Sequence, residues 1–249
     1  IQMKNNGVAL ITGGGTGIGL SIAKKLHAMK KTVVLVGRRK NKLLQAKKLL
    51  KSRCYIFESD ISDLNSIPIL VNNIEKKIGP IDILINNAGM HLRKIAIETT
   101  DEEWKNVIDT NLNSVFSLSR ECAKKMIRRK KGNIILVGSV TTIMGLPDVT
   151  AYATSKTALS GLARTLAIEL GKYSINVNCI CPGFIKTAIF TRVRKKDPNR
   201  FKKILSRTPL DRFGKVEDIS NVVGFLCSPE AEFITGTTLP VDGGFHSSF

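Results

Sequence analysis

Tyr152 and Lys156 stand four residues apart, with Ser139 upstream of both, and these three residue types can deliver a proton to an oxygen atom. A free tyrosine, with a pKa of about 10, is a poor base at neutral pH, and a nearby cation favours its phenolate. Residues i and i+4 of a helix share a face, so Tyr-x-x-x-Lys brings an ammonium group to a phenol. A serine hydroxyl beside them can orient a carbonyl oxygen. Taken alone, Tyr-x-x-x-Lys also reads as ordinary decoration of a helix surface, so its weight depends on what accompanies it.

What accompanies it is a glycine-rich run, Thr12-Gly13-Gly14-Gly15-Thr16-Gly17-Ile18-Gly19, directly after an apolar, strand-like segment. Glycines there permit a tight turn and let backbone N–H groups approach a pyrophosphate, which the following helix N-terminus also favours. The spacing is G-x-x-x-G-x-G and departs from the G-x-G-x-x-G dinucleotide fingerprint. Gly13, Gly15, Thr16, Gly17, Ile18 and Gly19 are therefore the candidate phosphate cradle, against the plainer reading of a structural glycine turn. The fingerprint expects an acid at the end of the second strand to hold the 2′-hydroxyl of NAD. Here that strand runs into Gly37-Arg38-Arg39-Lys40. An acid would repel a 2′-phosphate whereas a guanidinium offers it paired donors, so NADP is preferred over NAD, with Arg38 the main contact and Arg39 secondary. Asp60-Ile61 follows the third strand, and Asn86-Asn87-Ala88-Gly89 the fourth. Ligands of open parallel sheets bind beyond the carboxyl ends of the strands. Asp60 and Ile61 are accordingly placed at the adenine, and Asn86, Asn87, Ala88 and Gly89 along the cofactor; the alternative for the last four is turn chemistry.

The elements that must position these residues follow from the hydrophobic pattern. Strand-length apolar runs at 8–12, 32–36, 54–57, 81–85, 133–137, 175–180 and 238–241 alternate with amphipathic stretches at about 17–29, 40–51, 65–78, 101–130, 150–170 and 216–227. This alternation predicts an α/β fold, a doubly wound parallel sheet with helices on both faces. Thr100-x-x-Glu103 is a capping box that opens the 101–130 helix, and Gly79-Pro80 stops the one before the fourth strand. The 183–213 stretch, with Pro198 and Pro209, breaks the alternation and reads as a flap or a surface excursion.

Length and composition agree with one domain over residues 1–249. The chain has 43% hydrophobic and 6% aromatic residues, which excludes disordered and collagenous classes, and no run approaches the roughly 18 apolar residues of a membrane span. No apolar signal core precedes the first strand, and five cysteines without zinc-site spacing read as reduced core thiols, so a cytoplasmic protein with no metal site is expected. The net charge of +19 is uneven, since the first acid is Glu58. Basic clusters lie at 124–131 and 192–196, and they read as solvated helix faces; nucleic acid is an unlikely partner without a zinc finger, ribonucleoprotein motif or aromatic-interleaved groove.

Taken together, the glycine run, Asn86-Asn-Ala-Gly89, Asn111, Ser139, Tyr152-x-x-x-Lys156 and Pro182-Gly183-x-x-x-Thr187 resemble the short-chain dehydrogenases/reductases in their single-domain, Rossmann-type form, over essentially the whole chain. The resemblance implies ketone–alcohol interconversion by hydride transfer. Tyr152 would protonate the carbonyl oxygen, and Ser139 would position it. Lys156 would lower the Tyr152 pKa and hold the nicotinamide ribose, and Asn111 would anchor a water in the proton relay. Pro182 and Gly183 would border the nicotinamide, with Ile185 meeting its carboxamide through the backbone and Thr187 through its hydroxyl. Residues 188–212 would form a substrate flap, and the terminal Pro240-Val241-Asp242-Gly243-Gly244 would pack in a homotetramer. Two substrate classes compete. The whole-chain pattern is similar to 3-oxoacyl-carrier-protein reductases, for which Arg128, Arg129, Arg192 and Arg194 would meet an acidic acyl-carrier protein. The segments at 87–94 and 205–214 instead resemble sugar-acid members such as gluconate 5-dehydrogenase, with His91 and Arg93 binding a small carbonyl or alcohol substrate. The sequence leans slightly to that second class.

Overall fold

Seven parallel strands, β1 (Val8–Thr12), β2 (Thr32–Gly37), β3 (Cys54–Glu58), β4 (Ile81–Asn86), β5 (Gly132–Val137), β6 (Ile175–Pro182) and β7 (Thr238–Val241), form one sheet in the order β3-β2-β1-β4-β5-β6-β7. The structure is a computed structural model that describes residues 7–248, without the side chains of Ile189, Arg192 and Lys196. The Arg192 side chain of the expected docking surface lies outside what is described, as do residues 1–6, on which the expected lack of a signal core rests.

Side chains alternate across a strand, and here both alternating sets are apolar because both faces are covered. Val8 and Leu10 of β1, Val34 and Val36 of β2, and Ile134 and Leu136 of β5 pack beneath α3 (Ser66–Lys77), α5 (Ser114–Arg129) and α6 (Thr150–Gly171). Ala9, Ile11, Val33, Leu35 and Ile135 pack beneath α1 (Gly17–Ala28), α2 (Lys40–Leu50) and α9 (Val216–Leu226). The doubly wound sheet expected from the sequence is therefore present. Strand order reverses between β1 and β4, and such a reversal opens a crevice at the carboxyl edge of the sheet.

Two segments differ from the sequence expectation. The single helix expected over 101–130 is divided: α4 (Asp101–Ile108) passes into a π-helical turn, Asp109–Asn113, before α5 begins. A π turn adds one residue to the helical repeat and so re-aims the residues inside it; this one contains Asn111. The Thr100–Glu103 capping box opens α4 as expected. The irregular 183–213 stretch folds into two short helices, α7 (Ala188–Lys196) and α8 (Pro198–Ser206). Each has a side-chain cap: the Thr187 hydroxyl accepts from the Phe190 N–H at 3.2 Å, and the Asp197 carboxylate from the Arg200 N–H at 3.2 Å. Phe201 and Ile204 of α8 join Val140, Phe213 and Phe245 in a satellite apolar cluster away from the two sheet faces. No helix among the described residues is long and apolar enough to cross a membrane.

Candidate active site

Three threonines fix the framework. The Thr12 hydroxyl, at the end of β1, donates to the Ile85 carbonyl and accepts from the backbone N–H groups of Asn87 and Ala88, both at 3.0 Å. The Asn87 side chain returns the link, donating to the Thr12 carbonyl at 2.9 Å. The glycine loop is thereby tied to the end of β4. Its close approach explains two glycines: a Cβ on Gly19 would run into the Gly13 carbonyl and the Asn87 amide, and Gly13 has a φ of +65°. On the other side of the crevice the Thr142 hydroxyl accepts from the Ser139 N–H at 3.1 Å and donates to the Lys156 carbonyl at 3.2 Å, and Thr157 donates to the Thr141 carbonyl. These bonds bolt the end of β5, with Ser139, to the first turns of α6, with Tyr152 and Lys156.

The crevice is one cavity of about 710 Å³. Its dinucleotide end is lined by Gly13, Gly15, Thr16, Gly17, Ile18 and Gly19 of the loop, by Arg38 and Arg39 after β2, by Asp60 and Ile61 after β3, and by Asn87, Ala88 and Gly89 after β4. Ser139, Tyr152 and Lys156 line its middle, beside Pro182, Gly183, Ile185 and Thr187. His91 and Arg93 lie at the far end with Phe184, Phe190, Phe201 and Arg200.

Two asparagines lie off the cavity wall, and for Asn86 this departs from the place along the cofactor that the sequence suggested. Asn86 is fully buried and donates to the Ser119 hydroxyl of α5 at 3.1 Å, because strand alternation turns it to the helix-covered face. Asn111 is also buried and off the cavity wall; its amide donates to the Met90 carbonyl at 2.9 Å and to the Ser155 hydroxyl at 3.0 Å, while its oxygen accepts from the Met90 N–H at 2.7 Å. Both N–H donors of the side chain are thus used in holding the segment after β4 against α6.

The electrostatics also differ from expectation. The Lys156 ammonium is buried and donates to the Val137 carbonyl at 2.7 Å, 5.9 Å from the centre of the Tyr152 ring. Burial pushes its pKa down to about 8, opposed only in part by the neighbouring Cys179 and Cys181 thiols. Burial raises the Tyr152 phenol above its ordinary value, the Ser139 hydroxyl pulls it back by hydrogen bonding, and Cys181 adds to the rise. The phenol therefore holds its proton at neutral pH, the reverse of the depression expected from Lys156. The His91 ring rests on the Tyr152 ring, centroids 4.7 Å apart. Burial, then the charges of Arg200 and Arg93, lower the His91 pKa and keep that imidazole neutral.

Beside Arg38, burial raises the Asp60 carboxyl, but hydrogen bonds from the Ser62 N–H and hydroxyl and the charge of Arg38, 3.6 Å away, together hold it below the usual range. The chain leaving β2 carries Arg38, Arg39 and Lys40 and no acid, and the α1 N-terminus carries no side-chain cap and no acid in its first turn, which suits an anionic phosphate there. This donor set fits a dinucleotide. Among the described residues no cluster of three or more metal-ligating side chains occurs, and all five cysteines are free. Of the expected docking arginines, Arg129 is engaged by Glu75 at 3.0 Å and by the Ile81 carbonyl at 2.8 Å, and Arg194 lies over the Phe213 ring. Arg200 and the phenylalanines of the far end escaped the sequence reading. The Asp197-Pro198 pair, an N-cap followed by a proline suited to the first helical position, is the signal that would have revealed α8.

A family model described as "Enoyl-(Acyl carrier protein) reductase" matches residues 13–246. The chain is 37% identical over 239 residues to the 3-oxoacyl-[acyl-carrier-protein] reductase FabG of Escherichia coli, covering 96% of this chain and 97% of that one. A putative gluconate dehydrogenase from Agrobacterium tumefaciens superposes with a TM-score of 0.94 at 29% identity, covering 98% of both chains. An actinorhodin polyketide ketoreductase variant solved with NADPH superposes with a TM-score of 0.93 at 29% identity, covering 99% of both.

The buried lysine predicts a pH dependence. Its folded pKa of about 8 lies below the free value of 10.5, so between them the unfolded chain binds a proton that the native state lacks. Stability must then rise with pH across that window, and the Lys156 contribution must be flat below it. Denaturant unfolding at stepped pH should give a less positive slope for Lys156→Met than for wild type; parallel curves would mean the ammonium is not desolvated.

Proposed function

The chain belongs to the short-chain dehydrogenase/reductase family and is an oxidoreductase, and on that premise we propose that it reduces a ketone to a secondary alcohol with NADP(H), Tyr152 giving the proton. Bound at the glycine cradle, the nicotinamide cofactor supplies the hydride. The Tyr152 hydroxyl donates its proton to the ketone oxygen as that oxygen gains charge, and the Ser139 hydroxyl donates a hydrogen bond to the same atom. Burial keeps the phenol protonated, which suits an acid in the reductive direction. Once the phenol has lost its proton, the nearby Lys156 ammonium and the Ser139 hydroxyl favour the phenolate. The observation that carries this reading is the convergence of Ser139, Tyr152 and Lys156 on the middle of the cavity whose other end holds the glycine loop. Arg38, side chain 73% exposed and without an acid at the end of β2, supports NADP(H) over NAD(H).

The substrate we infer is a small carbonyl compound of the sugar-acid or keto-acid kind, supported by His91 and Arg93 at the far end of the cavity and by the superposition on the gluconate dehydrogenase. The 37% identity to FabG favours a second reading, a 3-oxoacyl thioester carried by an acidic acyl-carrier protein. Assembly as a homotetramer through β7 is part of the same proposal.

Three outcomes are expected. Tyr152→Phe abolishes turnover and leaves NADPH affinity unchanged, because it removes only the transferable proton; near-normal turnover overturns the mechanism. Arg38→Ala raises KM for NADPH by about tenfold or more with little change for NADH, as loss of a charge-assisted phosphate contact requires; equal effects on both cofactors refute the assignment. In assays of NADPH oxidation, 5-ketogluconate turns over faster than acetoacetyl-coenzyme A, and a clear preference for the thioester moves the protein to the second reading.

A further inference from the structure

The far end of the cavity contains two arginines in different electrostatic states. Arg93 pairs with Asp148 at 3.2 Å and Asp197 at 3.8 Å. Asp197 is further occupied by the Arg200 N–H, since it caps α8. The two acids facing this end thus make their contacts with Arg93 and the helix, and act on the Arg200 guanidinium only from a greater distance. The Arg200 side chain, half-buried in the same wall, has no carboxylate within 4 Å and no hydrogen bond among the described residues. Near it lie Phe201, beside it in sequence, Phe190 packed on Phe201 at 4.9 Å, and His91, tilted at 52° against Tyr152, together with the charges of Arg93, Asp197 and Asp148.

Burial and the charge of Arg93 disfavour the Arg200 cation, and Asp197 and Asp148 offset this only in part; an anion entering the cavity reduces that cost by accepting its paired N–H donors. The imidazole beside it is held neutral by burial and by the two arginines, so it does not compete for that anion. The aromatic walls, meanwhile, favour an apolar body between the anion and the reacting carbon. Resting on the reading of Tyr152 as the proton donor to a ketone, we propose that Arg200 is the residue that selects substrates carrying a negative charge, binding a carboxylate or phosphate at the cavity end opposite the glycine loop. Arg93 then acts as a strut that keeps both acids out of contact with Arg200. The shared chemistry is an anionic oxygen group on a ketone, either the carboxylate of a keto acid or the phosphate of a longer thioester carrier.

Calorimetric titration with three probes tests this: 3-phenylpropionate, phenyl phosphate and the neutral 3-phenylpropionamide. Wild-type protein should bind at least one anion more tightly than the amide, and the preferred anion identifies the source. Arg200→Gln should weaken that anion by about tenfold or more, the scale of a lost charged hydrogen bond, with the amide unchanged; Arg200→Lys should recover part of the loss. NADPH affinity at the wild-type level shows that the variants are folded. Equal affinity for anions and amide in wild type, or equal loss of all three in Arg200→Gln, overturns the proposal. Kinetics separate it from the reading beneath it. If keto acids turn over, Arg200→Gln should raise their KM while leaving kcat, and both constants for the matching methyl ester, unchanged. If no ketone turns over but anion binding still depends on Arg200, the ketone reading fails and the anion site stands.

Discussion

An ammonium group lies buried between the sheet and α6, donating to the Val137 carbonyl at 2.7 Å, and the placement of the reacting groups depends on that contact. Ser139 is two residues beyond Val137, and Tyr152 is one helical turn before Lys156. A single hydrogen bond from α6 to β5 therefore sets the distance between phenol and serine hydroxyl, with Thr142 and Thr157 reinforcing it. The same burial moves the two titrating groups in opposite senses, lysine down and tyrosine up, because each charged form is penalised by the dry wall. Both groups are driven toward neutrality. A proton leaving the phenol places a negative charge near the lysine, which restores the preference of that lysine for its charged form. On the proposed mechanism, charge appearing on one member is thus met by the other, although both are shifted toward neutrality beforehand.

The other half of the cavity depends on the Thr12 hydroxyl. At the switch point, β1 and β4 diverge toward their connecting segments, and without a cross-link the glycine loop would have no reason to sit close to Asn87. Thr12 supplies it with one donor and two acceptor contacts, and Asn87 closes the ring. The loop is then so close that a side chain at Gly19 has no room. Glycine here serves approach as much as conformational freedom, and the dinucleotide end inherits its shape from a polar link in an otherwise apolar sheet.

Much of this was legible in the sequence because it rests on periodicity. Both faces of each central strand are apolar, so the parallel sheet follows from runs such as Val8–Thr12, and residues at the carboxyl ends of its strands meet at one edge. What the sequence hid depends on where a side chain points within an element. Asn86 and Asn87 are adjacent and chemically identical, yet one faces α5 and the other the loop. Asn111 matches its motif, but the π turn around it commits its side chain to Met90 and Ser155. The direction of the Tyr152 shift was hidden for a different reason: spacing reports that a cation is near, whereas the dominant cause is how much water has been removed.

The arginines along the cavity carry this point furthest. Arg38, Arg93 and Arg200 are alike in sequence, each a basic residue in a chain with a large positive excess. Arg38 faces one carboxylate at 3.6 Å while largely exposed, and such an ion pair is worth little, about 0–1 kcal/mol. It can be exchanged for a phosphate at small cost. Arg93 faces two carboxylates from separate segments, the 143–149 loop and the α7–α8 corner, so moving it would unpair two acids at once. Arg200 has none in contact. Availability to a ligand is therefore decided by the number of carboxylates that the fold turns toward each guanidinium, a quantity fixed by the caps of α8 and the ends of β3 and β5 and absent from any local count of charge.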